Sequence, residues 1–221
     1  MTAQEPTGFL YPFLDAAEHN ADALVVSLME SARAKVDESR RLRMETLEGS
    51  REAIEAAARA MAERFAAGGR MLTFGNGGSA TDAQGTADLF TRPPYGRPLP
   101  ALSLVDDQAV LTALSNDVGF ELAFSRQLIA TGREGDIAVG LSTSGDSPNL
   151  LRAFEEAAGR GLLTIGLCGY DGSAMATSVA VAHCLVVHSE SVHRIQEVQD
   201  AVVFALWEAV QSLVESERRT A

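Results

Sequence analysis

Between Met71 and Val187, five short apolar runs alternate with segments of helical periodicity: Met71–Phe74, Ala101–Val105, Ile137–Leu141, Leu163–Cys168 and Val179–Val187. Runs that are apolar at nearly every position suit strands covered on both faces, and the intervening helices supply the cover. The alternation therefore predicts βαβ units, a parallel sheet and an α/β architecture. Ahead of it, residues 1–69 read as helical. Leu24, Leu28, Ala32 and Val36 recur at helix spacing, as do Ile54, Ala58, Met61 and Phe65, and Gly68-Gly69 is a strong stop. Behind it, a closing helix over about Val192–Glu217 carries Ile195, Val198, Val202, Leu206, Ala209 and Leu213 as its apolar stripe, with Trp207 expected in core or interface packing. The segment Arg92–Pro98 reads as a rigid proline loop, because a strand resumes directly after it.

With 221 residues the chain can bury a core without disulfide or metal staples. Its 18 basic and 30 acidic residues leave a net charge of −12, and Arg40, Arg41 and Arg43 sit among acids on a helix. A basic footprint for nucleic acid is absent, so that class of partner is disfavoured. The two cysteines, Cys168 and Cys184, lack CxxC or CxH spacing and read as buried free thiols of a reducing compartment. Nothing resembles a secretory leader or an apolar run of about 18 residues, so a cytoplasmic protein without membrane contact is expected.

Two loops carry the chemistry. Gly75-Asn76-Gly77-Gly78-Ser79 follows the first predicted strand and opens a helix near Ala80. Glycines let backbone N–H groups approach a ligand closely, and a helix N-terminus adds partial positive charge. Ser142-Thr143-Ser144-Gly145-Asp146-Ser147 follows the strand Ile137–Leu141 and offers hydroxyls at another helix start. Such a cluster can donate a fan of hydrogen bonds to phosphate oxygens. Each loop alone reads equally well as a turn or a helix cap. Two of them at strand carboxyl ends favour an anion site. The first loop lacks the third glycine of a dinucleotide fingerprint, and no Lys-Ser/Thr follows it as a P-loop requires. A small phosphorylated ligand fits better than a nucleotide.

These loops, with Ser115-Asn116-Asp117, Gly132-Arg133-Glu134-Gly135-Asp136 and Arg194-Ile195-Gln196-Glu197, occur in the order seen in phosphoheptose (sedoheptulose 7-phosphate) isomerases. The chain resembles that family of SIS-domain proteins over roughly Ile54 to Leu213. The resemblance implies a three-layer α/β/α sandwich on a five-stranded parallel sheet, with an N-terminal helical extension (1–50) ahead of the SIS domain (51–221). It also implies a homotetramer with sites at subunit interfaces. Its serine loop would hold the sugar phosphate through Ser142, Thr143, Ser144 and Ser147, and its glycine loop would contribute Asn76, Gly77 and Ser79. Asp117 and Gln196 would meet the sugar.

The family's chemical groups do not carry over. Its zinc-binding His and Glu on the helix after the glycine loop correspond to Gly85 and Leu89, and its closing-helix Gln and His to Gln196 and Phe204. Enolisation needs a positioned base and acid, and Gly, Leu and Phe titrate nothing. One amide cannot hold zinc, so no metal and no cofactor is expected. Asp88 sits about 100° around the helix from the lost Glu and reads better as a solvent-facing acid. His183, His188 and His193 recur every five residues. His193 precedes the Arg194–Glu197 motif where relatives place an active-site residue, and Glu197 either faces the pocket or pairs with Arg194. His193 and Glu197 are the replacement catalytic candidates. Three functions compete: a sugar-phosphate-binding protein with isomerase activity lost or altered, an isomerase with a rearranged acid/base set, and a regulatory or partner subunit acting by protein contact. The last has a precedent in the SIS-domain initiator-associating protein of bacterial replication.

Overall fold

A computed structural model describes residues 21–220, which divide into two compact units on either side of the boundary between Arg41 and Leu42. The helical reading of residues 1–20 lies outside the described residues. Helix α1 spans Ala21–Gly49 and α2 spans Arg51–Ala66. Helix α2 buries Ile54, Ala57, Ala58, Met61, Ala62 and Phe65, the stripe its periodicity announces. It stops as Gly68-Gly69 implies. Gly68 adopts φ +89°, its N–H bonds the Phe65 carbonyl and the Gly69 N–H bonds the Arg64 carbonyl. That pair of bonds is a Schellman cap, which needs a residue free to turn left-handed.

Strands β1 (Met71–Gly75), β2 (Ala101–Ser103), β3 (Ile137–Leu141), β4 (Leu163–Gly169) and β5 (His183–Val187) form one all-parallel sheet in the order β2-β1-β3-β4-β5. Between them lie α3 (Gly78–Thr91), α4 (Gln108–Asp117), α5 (Ala123–Thr131), α6 (Pro148–Gly159) and the short α7 (Ser173–Thr177). Helix α8 (Val192–Thr220) closes the chain. Residues on one sheet face, including Val139, Ile165 and Leu185, pack with α2 and α8 around Trp207. Those on the other, including Leu72, Phe74 and Ala138, pack with Phe124 of α5 and Phe154 of α6. The central strands β1, β3 and β4 are buried at every position, so their sequences run apolar rather than alternate.

Two predicted strands shorten. Strand β2 ends at Ser103, where the Asp106 N–H folds back on the Ser103 carbonyl. Strand β5 starts at His183, not Val179. The Val181 N–H closes a turn onto the Ser178 carbonyl, leaving Val179 fully exposed. Its apolar residues belong to the turn after α7, where strand-like composition misleads.

At the amino ends of β1 and β3, Asp136 is almost fully buried. It accepts the Arg70 and Arg133 backbone N–H groups at 3.0 and 3.1 Å and pairs with the Arg70 Nε at 3.3 Å. The Gly132–Asp136 motif therefore has a structural duty at the end of the sheet opposite the loops. The proline loop is docked as well: the Arg97 N–H donates to Gln211 Oε1, and Gln211 Nε2 donates to the Arg97 carbonyl, both at 2.8 Å. Among the described residues no helix is long and apolar enough to cross a membrane.

Candidate functional site

With β2 on one side of β1 and β3 on the other, the chain reverses its direction of sheet growth between β1 and β3. Ligands of open α/β sheets bind at that reversal, beyond the strand carboxyl ends. The glycine loop leaves β1 there and the serine loop leaves β3, so the topology brings the two predicted anion loops side by side.

A reciprocal amide pair ties them. Asn76 Nδ2 donates to Asn149 Oδ1 and Asn149 Nδ2 donates to Asn76 Oδ1, each at 2.9 Å. Within the serine loop, Ser142 Oγ accepts the Gly145 N–H at 3.0 Å, and Ser144 Oγ accepts the Asp146 N–H at 3.3 Å. Ser142 and Ser144 hydroxyls lie 3.5 Å apart. Ser147 is the N-cap residue of α6 with Pro148 at the first turn, yet its side chain makes no capping bond. The helix-cap reading of the loop therefore loses its main member, and the α6 N-terminus stays open toward the switch point. The N-terminus of α3 opens there too, and Ser79 is buried in its first turn. Two helix N-termini beside a loop rich in hydroxyls suit an anion.

Helix α8 supports this floor. Fully buried Gln199 donates from Nε2 to the Ser142 carbonyl at 2.9 Å, while its Oε1 is buried without a partner. Gln196, one turn earlier, lies against Gly78 so closely that a side chain at that glycine would overlap its amide. Gln196 Nε2 donates to Asp82 Oδ2 of α3 at 3.1 Å. Partial burial pushes the Asp82 carboxyl above its usual value, Gln196 opposes that, and the charge of Asp200 adds to it. Asp200 is itself raised by desolvation.

The other predicted residues have local surroundings of their own. Asp117 ends α4, exposed, and accepts the Asn116 amide at 2.9 Å. His193 is exposed in the first turn of α8. Glu197 takes both its carboxylate oxygens to Arg194 Nη1, at 2.6 and 2.5 Å. Asp88 is exposed and pairs with Arg92 at 2.5 Å. His183 opens β5, half-buried with its imidazole pKa lowered by burial, whereas His188 follows the strand and its Nδ1 meets the Tyr170 carbonyl at 3.0 Å. A strand of that length is about 16 Å long, so the histidines do not converge.

The residues present do not fit zinc. A side chain at Gly85 would meet nothing within 4 Å, Leu89 packs against the core, and the Phe204 ring lies 5.1 Å from that of Trp207. Among the described residues no group of three or more His, Cys, Asp or Glu is placed to hold a metal ion. Sequence reasoning missed Asn149, Gln199, Asp82 and Asp200. Asn149, two residues beyond the serine loop, and Asp82, inside the glycine-loop helix, had only proximity to mark them.

Comparison with known proteins agrees with this geometry. The SIS domain family model matches residues 36–169. The chain is 38% identical to a phosphoheptose isomerase of Roseiflexus sp. over 195 residues, covering 86% of this chain and 95% of that one. It is 44% identical to one from Paramagnetospirillum magneticum over 166 residues, covering 74% and 85%. Among solved structures, phosphoheptose isomerase from Neisseria gonorrhoeae superposes with a TM-score of 0.78 at 36% identity, covering 84% of this chain and 99% of that one. The Francisella tularensis enzyme matches at 0.78 and 32%, covering 83% and 98%. By its sheet order, its paired loops and these near full-length matches, the chain belongs to the phosphoheptose isomerase family of SIS-domain proteins.

Proposed function

We propose that this protein binds a sugar phosphate, sedoheptulose 7-phosphate or a close relative, across the β1/β3 switch point, with the family's isomerase activity lost or altered. The observation that carries the reading is the serine loop, whose Ser147 stands at the mouth of α6 without capping it. Ser142, Thr143, Ser144 and Ser147 take the phosphate, Asn76, Gly77 and Ser79 form the facing wall, and Gln196 with Asp117 is assigned the sugar. Loss of donors at Gly85, Leu89 and Phe204 supports altered chemistry, and the protein is expected to purify without stoichiometric zinc.

A second reading keeps turnover through a rearranged acid/base set. It is favoured by a match that spans 95% of a relative named phosphoheptose isomerase and by the Asp82 carboxylate held against Gln196. His193 and Glu197 remain its other candidates. We also infer a homotetramer, since Val25, Val26, Leu28, Met29 and Val36 of α1 are exposed.

Thermal shift decides the binding claim. A ligand at about 100 times its dissociation constant adds ~2.7 kcal/mol, so sedoheptulose 7-phosphate raises the melting temperature and the unphosphorylated sugar does not. Ser144→Ala with Ser147→Ala abolishes the shift without unfolding the protein, because each lost charge-assisted bond costs about 1.5–3 kcal/mol of affinity. A double variant that responds like the wild type would sink the reading. Product analysis on the same sample, with elemental analysis for zinc, separates silent binding from metal-free turnover.

A further inference from the structure

Cys168 of β4 and Cys184 of β5 point to the same sheet face, offset diagonally by the register that pairs Gly166 with Cys184 and Cys168 with Val186. Their sulfurs are 3.4 Å apart, both as free thiols. The two differ in access. Cys168 is fully buried, whereas Cys184 is partly exposed and lines a cavity of about 440 Å³ with Leu42, Ala53, Val186 and His188. A disulfide needs a sulfur separation of about 2.05 Å, so closure asks for roughly 1.4 Å of movement. Strand β5 is the sheet edge with no strand on its outer side, the place where such movement meets least resistance.

We propose that Cys184 and Cys168 form an oxidisable thiol pair that loosens the phosphate loop when it closes. The oxidant is hydrogen peroxide entering by the cavity. The Cys184 thiolate attacks one peroxide oxygen; the S–O bond forms, the O–O bond breaks, and hydroxide leaves as water after taking a proton. Cys168 then attacks the sulfenic sulfur, forming S–S and breaking S–O, and its proton departs with the hydroxyl as a second water. Two thiols lose two electrons and one peroxide becomes two waters. The thiol contact also tilts the pair the right way: hydrogen bonding between them lowers the Cys184 pKa and, with burial, raises that of Cys168.

Coupling to the loop follows from the residues flanking Cys168. The Leu167 carbonyl accepts the Ser142 N–H, and the Gly169 N–H donates to the Thr143 carbonyl, both at 2.9 Å. A Cβ at Gly145 would touch Cys168 Cβ at 3.4 Å. The buried thiol thus lies directly under the serine loop, and drawing it toward β5 displaces the first two loop residues.

The test treats the full-length reduced protein with hydrogen peroxide and follows intact mass and mapped peptides. Wild type loses two hydrogens and yields a Cys168–Cys184 linked peptide within one chain. Cys168→Ser stops at a sulfenic acid on Cys184 that dimedone traps; Cys184→Ser reacts far more slowly. Two reduced thiols persisting in wild type, or dimedone labelling equal in both variants, would overturn the proposal. The loop arm rests on the sugar-phosphate reading: sedoheptulose 7-phosphate shifts the melting temperature of the oxidised protein less than that of the reduced one. Equal shifts refute the coupling, whereas no shift in the reduced protein refutes the ligand reading and leaves the thiol result standing.

Discussion

At the residue scale, the candidate site could be read from the sequence where a residue's type suggests a duty, and not where a contact joins residues far apart along the chain. The glycine and serine loops stood out only as a pair, since either alone reads equally well as a turn or a helix cap and it is two at strand carboxyl ends that suggest an anion site. The Asn76–Asn149 amide pair did not stand out, because it joins residues 73 positions apart and depends on the β1/β3 register. Gly85 is exposed within α3, and a Cβ there meets nothing within 4 Å. Gly85→Ala is therefore expected to stabilise the protein by about 0.4–1 kcal/mol, through the lower entropy of the unfolded chain. Denaturant titration checks it, and a loss of stability would mean the position is crowded. Asp200 gives the pH counterpart. Its folded pKa lies above the unfolded value of 3.8, so the folded state binds the proton more tightly. Stability from this group falls as pH rises from 3.8 through the raised value, and the cost is fully present above it. Asp200→Asn should raise the melting temperature at neutral pH and flatten its rise on mild acidification. An unchanged pH profile would contradict this.

Elements were easier to place than their ends. Burial at every position of β1, β3 and β4 writes continuous apolar runs, and those three were readable within one residue. Strand β5 was not, since the turn through Val179 is apolar without being buried and only the backbone bond from Val181 to Ser178 ends the strand reading. Helix α8 illustrates a subtler division of labour. Its stripe of Ile195, Val198, Val202 and Leu206 packs the sheet, while Gln199, equally buried, grips the Ser142 carbonyl. Polar residues on a core-facing stripe signal a hydrogen-bonding task that periodicity alone does not name. Gln199→Leu leaves the Ser142 carbonyl without its donor but also removes the orphaned Oε1, so the two burial costs largely offset each other. The expected outcome is a near wild-type melting temperature for the free protein with a reduced shift on adding sugar phosphate. A full ligand shift would show that the loop holds its shape without α8.

For the whole molecule, the order β2-β1-β3-β4-β5 explains why two loops distant in sequence come to lie side by side, and why the Asp136 knot lies at the opposite end of the sheet. Association is the remaining question at this scale. Helix α1 carries Leu28, Ala32 and Val36 at helix spacing, with Val25 and Met29 beside them, and in the chain described all of these are exposed. A long helix with an uncovered apolar stripe is stable when another apolar surface covers it, and bundles of such helices between subunits are the ordinary solution. A net charge of −12 opposes close packing of identical chains, so apolar burial has to outweigh it, and salt should favour assembly by screening that repulsion. Light scattering at micromolar concentration is therefore expected to give the mass of four chains, and Leu28→Glu with Val36→Glu to reduce it. Both substitutions lie outside the glycine and serine loops, so a dissociated variant also asks whether ligand binding needs more than one chain. A wild type that scatters as a monomer at every salt concentration would contradict assembly and leave the apolar face of α1 to some other cover.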